Sequence, residues 1–302
     1  MLRYTPRRPQ MCLWMVVRRY HNYVGYGLDP QLAPKIMDPS GKFFDSGPGR
    51  AAAMIDGWKT IGKPRGMQIW VGEIAAAWHS GEPGVTNRFI SSFWYADALG
   101  LLASLNHTGF CRQSLRGGNY GLLNRTTGEP NPDFYMAQMF RNEMGPDVLS
   151  LSSNMKSEGL RTYAHCHPTE KGRATMLFVN VDPTKTFTVS IPAAIAAGTD
   201  AAVDAAIVTQ QLSGLSSQPV VAADGNVTLW SFAAGDGTKE KWNGLDSRLL
   251  QLNGKPLLPT TTPSPYALPK LAELGVAVTN GKELKIAPLT INFVATDAPQ
   301  HC

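Results

Sequence analysis

The chain has 302 residues, a formal net charge of +5, 43% apolar and 17% charged residues. That length suits one large domain or two ordinary ones with a sizeable core, and the composition excludes a disordered or collagen-like chain. The basic residues are scattered apart from Arg7, Arg8, Arg18 and Arg19, which leaves no stripe for nucleic acid, and no apolar run approaches the roughly 20 residues of a membrane span.

The first residues have a basic start and an apolar run over 11–17, but Arg18 and Arg19 follow at once without a small-residue cleavage site, so no convincing signal peptide is present. Residues 11–24 (MCLWMVVRRYHNYV) read as a buried strand ending in His21 and Tyr23, broken by Gly25, Gly27 and Pro30. A helix over 50–59 and a short buried strand over 67–73 (MQIWVGE), ending at Glu73, come next. Over 87–105, Phe89, Phe93, Ala96, Gly100 and Ala103 recur at spacings of three and four, widened by Trp94 and Leu101, which predicts an amphipathic helix. A third strand (TGFCRQSL, 108–115), a glycine-rich loop over 116–131 and a helix over 132–144 complete the first half. Strand and helix alternate, which is the pattern of right-handed β/α units around a parallel sheet.

The character changes near Gly145. From residue 149 the chain shows short runs of period-two alternation: RTYAHCH, ATMLFVNVD, TFTVSIP, AAIVTQQLSG, NVTLWSF, RLLQLNGKPL and LKIAPLTINFVA. Such runs predict an antiparallel β-sandwich, with the alanine-rich 193–206 and the Pro/Thr-rich 257–269 as loops.

Candidate chemistry narrows by elimination. His165 and His167 share a strand face with Cys166 opposed, and no second cluster completes a tetrahedral site, so no metal and no cofactor are expected. GGNYG lacks the strand and helix context of a nucleotide loop and the lysine of a P-loop, and no G-x-S-x-G elbow occurs. What remains is a rim at the C-terminal ends of the three parallel strands: His21 and Tyr23 after the first, Glu73 after the second, and Arg112, Gln113, Asn119 and Tyr120 after the third. Singly, each has an ordinary explanation as a core histidine, a capped carboxylate or a solvated arginine. Together, beside Ser80-Gly81 and Gly117-Gly118, they suggest a binding rim, and glycoside cleavage by a carboxylate nucleophile is its natural chemistry. The partner carboxyl is the difficulty, because Glu82, Asp97, Glu129 and Asp133 fall in a loop or on predicted helices.

WVGEIAAAWHSG, TNRFISSFWYADALGLLA, the segment from CRQSLRGGNYG to GPDVLS, and RTYAHC strongly resemble the plant heparanase-like members of glycoside hydrolase family 79. The resemblance runs from about His21 to Cys302 and is densest over 70–166. It implies α/β plus all-β architecture: a partial (β/α)8 TIM barrel, about strands six to eight, over 19–147, then a C-terminal antiparallel β-sandwich over 148–302, with 1–18 unmatched. It implies retaining hydrolysis of β-glucuronides, with Glu73 as nucleophile. His21, Tyr23, Trp78, His79, Ser80, Gly117, Gly118, Asn119 and Tyr120 would bind substrate; the amides of His79 and Ser80 and the Tyr120 hydroxyl would receive the uronic acid carboxylate. Trp78 stands where the family usually has tyrosine, which keeps a stacking face and loses a hydroxyl.

Cys166 and Cys302 match the family's disulfide, leaving Cys12 and Cys111 free. The family's acid/base glutamate, in an Asn-Glu pair on the fourth barrel strand, has no counterpart here, so a truncated product with little or no turnover is expected. The partners implied are a glucuronic-acid-containing glycan or glucuronide, and association with the cell wall or, peripherally, a membrane; the locations implied are extracellular, cell-wall or endomembrane and vacuolar. Three sequons, at Asn106, Asn124 and Asn226, are glycosylation acceptors on the secretory route. The rival expectation is a non-catalytic carbohydrate-binding protein of the same descent.

Overall fold

The computed structural model describes residues 17–149, 159–190, 227–237, 242–257, 269–278, 283–297 and 302. Three parallel strands, β1 (Val17–Tyr26), β2 (Gln68–Trp78) and β3 (His107–Arg112), form one sheet in the order β1-β2-β3. The helices α1 (Leu32–Ile36), α2 (Lys42–Gly57) and α3 (Phe89–Ser104) connect them, and α4 (Pro132–Glu143) follows. Sequence and structure agree on α4, whose proline sits at the first helical position with Asp133 in the first turn.

Several boundaries move. The helix expected over 50–59 starts at Lys42 and runs through Pro48, because Phe43, Phe44 and Ile55 are buried. Burial of three such side chains, worth about 1.5–3 kcal/mol each, outweighs an interior proline at about 3 kcal/mol. The second strand does not stop at Glu73: Ile74, Ala75, Ala76 and Ala77 are fully buried and keep pairing with β1 as far as Trp78. The first strand extends to Tyr26, so His21 and Tyr23 lie within it rather than at its end, and the third ends at Arg112 instead of Leu115. Finally, α3 is not amphipathic. All of its 16 residues except Leu101 and Ser104 are buried, including Ser91, Ser92 and Asp97. A helix buried on every side belongs inside a layered core.

That core is shared with the second half, whose described residues hold ten strands: β4 (Val148–Leu149), β5 (Leu160–Cys166), β6 (Arg173–Asn180), β7 (Phe187–Ser190), β8 (Val227–Ala234), β9 (Leu250–Leu252), β10 (Lys255–Leu257), β11 (Val276–Val278), β12 (Glu283–Ile286) and β13 (Thr290–Asp297). Among the described residues they form an eight-stranded sheet, β10-β9-β8-β13-β6-β5-β4 with β11 on β8, and a separate β7-β12 ladder. Ile69 and Val71 of β2, Phe89 and Phe93 of α3, and Leu177, Val179 and Phe293 of the antiparallel sheet belong to one apolar cluster, so α3 lies between the two sheets. On the other face of the large sheet, Met176, Phe178 and Val294 pack with Phe187 and Val189 of β7 and Leu284 and Ile286 of β12. Phe187 and Val189 share a face as their alternation requires. LKIAPLTINFVA divides into β12 and β13 at a turn where Leu289 has φ +52°. The run 205–214, the loop 193–206, residues 258–268 and Asn226 lie outside the described residues, as do Cys12 and most of 1–18. Among the described residues no helix is long and apolar enough to cross a membrane.

Cys166 at the end of β5 is bonded to Cys302, with a Cα–Cα distance of 5.3 Å across 136 residues of sequence. Cys111 is free and exposed. Closing so long a loop restricts the unfolded chain, so replacing both half-cystines by alanine is expected to lower stability by about 2–5 kcal/mol. Urea unfolding of the oxidised protein and of the double variant measures it, and coincident transitions would exclude any such contribution.

Beside that bond, Glu143 of α4 is 3% exposed and lies 3.7 Å from His167 Nε2. Burial raises its carboxyl from 4.5 to about 7, with Arg173 opposing and Glu170 adding to the shift. A raised folded-state value means that the native state holds the proton more tightly, so this contribution is complete below about 4.5 and is lost as pH rises through about 7. The stability difference between Glu143→Gln and the wild type is therefore expected to grow in the variant's favour across that window. Parallel pH–stability curves for the two proteins would exclude the shift.

Candidate active site

The site begins with a bulge. Strands β1 and β2 pair in register from Val17 opposite Gln68 to Tyr20 opposite Val71, and then β2 gains a residue, so that His21 faces Glu73. Without the extra Gly72, alternation would turn Glu73 to the same side as the buried Ile69 and Val71. The bulge re-aims it to the open face of the sheet, where its side chain is 36% exposed. Its partners come from β1, where Asn22 and Val24 point into the core while His21 and Tyr23 point out.

Tyr23 donates its hydroxyl to Glu73 Oε2 at 2.6 Å, and His21 Nδ1 lies 3.4 Å from the same oxygen. Burial, together with the hydrogen bond and negative charge of Glu73, pushes the Tyr23 phenol well above its usual value, with Arg112 pulling the other way. Tyr23 therefore remains a protonated donor at physiological pH: it can orient the carboxylate and cannot serve as a base.

The Tyr120 ring stands 6.5 Å from that of Tyr23. It is held by the loop after β3, where the Asn119 amide donates to the Ser80 carbonyl at 2.6 Å and the Thr86 hydroxyl lies 3.0 Å from the Asn119 carbonyl. Gly118, at φ +61°, makes this possible, since a side chain there would come within 2.9 Å of the Tyr120 ring. Across the loop, His79, Ser80 and Gly81 all have left-handed φ, of 62°, 62° and 72°. Two successive non-glycine residues in that region are uncommon. The Gly27 amide donates to the Trp78 carbonyl at 3.0 Å, and the exposed Trp78 indole packs on Tyr26 with ring centres 4.6 Å apart.

The structure thus brings Glu73, His21, Tyr23 and Tyr120 together, with Trp78, His79 and Ser80 on the adjoining rim. Arg112 does not join them as a solvated rim residue; its side chain is buried and paired with Asp133. The four carboxyls weighed as partners of Glu73 are engaged elsewhere or sit in the following turn. Asp97 pairs with Arg161, Asp133 with Arg112 and Glu129 with Arg248, while Glu82 bonds Thr86 through its main chain. Sequence reading missed Tyr26, Thr86, Ser91 and Ser92, whose roles depend on contacts between distant segments. His165 is buried with Nδ1 donating to the Gly145 carbonyl at 2.6 Å, and no group of three metal-ligating side chains occurs among the described residues. A cavity of about 940 Å³ opens instead at the N-terminal ends of β2 and β3, lined by Trp58, Met67, His107, Phe140 and His165 and by none of the rim residues.

Residues 9–100 match the family model described as glycosyl hydrolase family 79, N-terminal domain; the match opens inside the segment that sequence reading left unassigned. The chain is similar to heparanase-like protein 2 of Arabidopsis thaliana, with 35% identity covering 94% of this chain and 51% of that protein. It is also similar to baicalin-beta-D-glucuronidase of Scutellaria baicalensis, with 32% identity over 94% of this chain and 46% of that protein. Mouse heparanase is 34% identical over 38% of this chain and 23% of its own length. The chain thus spans about half the length of the curated relatives that match over most of it. Among solved structures, the fold resembles a 4-O-alpha-L-rhamnosyl-beta-D-glucuronidase from Fusarium oxysporum, at a TM-score of 0.55 and 15% identity over 92% of this chain and 52% of the other. It also resembles an alpha-L-arabinofuranosidase from Thermotoga maritima, at a TM-score of 0.52 and 11% identity over 93% and 52% of the two chains.

Proposed function

Because the chain belongs to glycosyl hydrolase family 79, we propose that β1 to β3 correspond to the last three strands of a (β/α)8 barrel and that Glu73 is the nucleophile of a retaining β-glucuronidase site. The observation that carries this reading is the Glu73 carboxylate, turned by a bulge to the open sheet face and held there by the Tyr23 hydroxyl at 2.6 Å. The substrate class is a glucuronic-acid-containing glycan or a smaller β-glucuronide. The uronic acid carboxylate would be received by the His79 and Ser80 amides and the Tyr120 hydroxyl, with Gly117, Gly118 and Asn119 shaping the loop and Trp78 offering a stacking face. Extracellular, wall or endomembrane location, with the chain held at the wall or peripherally at a membrane, and glycosylation of Asn106, Asn124 and Asn226 belong to the same proposal.

Attack by Glu73 on the anomeric carbon expels the glycosidic oxygen, which needs a proton from a second carboxyl about 5 Å away. No residue of this sequence matches the family's acid/base glutamate, so these 302 residues alone are expected to turn over natural glucuronides weakly or not at all. A glucuronyl fluoride carrying a second fluorine beside the anomeric carbon separates the two carboxyl roles. Fluoride leaves with the electron pair of the C–F bond and requires no proton, a Glu73 oxygen forms the new bond to carbon, and the second fluorine slows hydrolysis of the resulting ester. Mass spectrometry of the digested protein is expected to find the sugar on Glu73. A folded protein that binds glucuronate and acquires no such ester would favour the non-catalytic, carbohydrate-binding alternative.

A further inference from the structure

Arg112 ends β3 with its side chain only 5% exposed. Its Nη2 donates both to Asp133 Oδ2, at 2.6 Å, and to the Tyr120 carbonyl, at 2.7 Å, while Nε and Nη1 have no hydrogen-bond partner among the described residues. The guanidinium carbon lies 4.5 Å from the centre of the Tyr95 ring and 5.4 Å from that of Trp94. Asp133 is secured in turn by the hydroxyls of Ser91 and Ser92, at 3.1 and 2.8 Å. Four elements of chain thus converge on one buried cation: β3, α3, the start of α4 and the loop bearing Tyr120.

A buried ion pair is costly to desolvate, and apolar residues of equal volume would often stabilise the fold as well or better. Its specific output here is a fixed position for one backbone carbonyl, and that carbonyl belongs to the residue whose phenol faces Tyr23. The loop's other anchors fall on neighbouring residues: the Asn119 amide on the Ser80 carbonyl, the Thr86 hydroxyl on the Asn119 carbonyl, the Asn131 side-chain amide on the Gly121 carbonyl at 2.8 Å, and the Leu122 and Leu123 amides on the Ser114 and Leu115 carbonyls at 2.8 and 2.7 Å. Among the described residues, Arg112 is the one that holds the main chain of Tyr120.

We infer that Arg112, clamped by Asp133, is a positioning residue for the glucuronide site, holding Tyr120 at the height where it meets the uronic acid carboxylate. This rests on the reading of Glu73 and Tyr120 given above. Arg112 touches no reacting atom, so its loss should weaken occupation of the site far more than bond formation at Glu73.

The test follows the glucuronyl fluoride reaction as a function of reagent concentration in wild type, Arg112→Gln and Arg112→Lys. Removing one charge-assisted anchor is expected to raise the half-saturating concentration roughly tenfold or more in Arg112→Gln, with the maximal labelling rate within about threefold of wild type. Lysine, which keeps the charge and can reach at least one of the two oxygens, is expected to recover part of the loss. If Arg112→Gln does not fold, Ser92→Ala, which removes one donor to Asp133, is expected to move the same constant in the same direction by about threefold. Hydrogen exchange supplies a readout independent of chemistry, in which the Asn119 and Leu122 amides should lose protection in the variants while α3 keeps it. Unchanged half-saturation in a folded variant overturns the inference. A wild type that acquires no label defeats the reading of Glu73 instead, and the exchange data then decide: unchanged protection of Asn119 and Leu122 overturns the role of Arg112, and its loss upholds the anchoring of the Tyr120 loop.

Discussion

Glu73→Gln is expected to lose more than about a thousandfold of the labelling rate with the glucuronyl fluoride, because the amide offers no anionic oxygen to the anomeric carbon. The substitution is nearly isosteric and sits on a half-exposed face, so the fold should survive it. An exposed carboxylate away from the rim supplies the control: Glu129→Gln, which frees Arg248 from a surface ion pair at 2.9 Å, should label at the wild-type rate. Tyr23→Phe sorts the role of the phenol. With its 2.6 Å bond gone, Glu73 loses an orienting donor worth about 1.5–3 kcal/mol, and labelling should slow by roughly ten- to a hundredfold without being abolished. A Glu73→Gln protein that still acquires the sugar on another carboxylate would refute the assignment.

Asp97→Ala should be the most damaging single change to the fold. Arg161 of β5 is 1% exposed, and its Nε meets Asp97 Oδ1 of α3 while its Nη2 donates to Asp45 Oδ1 of α2 at 2.9 Å. Tyr163 adds its hydroxyl to Asp97 at 2.5 Å, and its ring lies against Gly100, where any side chain would collide with it. This network ties the antiparallel half to the helices of the parallel half. Removing Asp97 leaves a guanidinium buried without its main counter-charge, which costs about 3–5 kcal/mol. Replacing Asp97 by leucine together with Arg161 by methionine should cost much less, since both charges leave together. Urea unfolding of the single and double variants measures the difference, and a single variant within about 1 kcal/mol of wild type would reject the account.

The pH behaviour of Glu143 and the effect of the long-range disulfide concern the same region, where α4 meets the β5–β6 hairpin and Cys166 holds Cys302. The Glu143–His167 contact and the Arg161 network join the two halves by polar links as well as by apolar packing, while the disulfide closes the antiparallel half on itself.

Much of this organisation was legible along the chain. Strand-helix alternation over the first half identified the parallel units, and alternation of the type in Phe187 and Val189 identified the antiparallel half, because both periods follow directly from backbone geometry. Glu73 stood out as one carboxylate beside a β-favouring run, and the motifs around it carried the resemblance to family 79 that the comparisons support. Local patterning failed where long-range contact overrides it. The helix expected over 50–59 begins instead at Lys42, where the buried Phe43 and Phe44 extend it through Pro48. The helix expected to be amphipathic over 87–105 is buried nearly all round, and its Ser91, Ser92 and Asp97 are satisfied there because their partners, Asp133 and Arg161, arrive from elsewhere in the sequence.

The site shows the same division. Residue types alone nominated His21, Tyr23, Glu73 and Tyr120, for a carboxylate, an imidazole and two phenols are chemically recognisable wherever they stand. Their assembly needed the fold. One extra residue at Gly72 turns Glu73 from the core face to the open face, a single buried cation at Arg112 fixes the loop that carries Tyr120, and neither effect is local in sequence. Patterns repeat along a chain and can be read there; a bulge and a buried ion pair are decided by which strands and helices come to lie side by side.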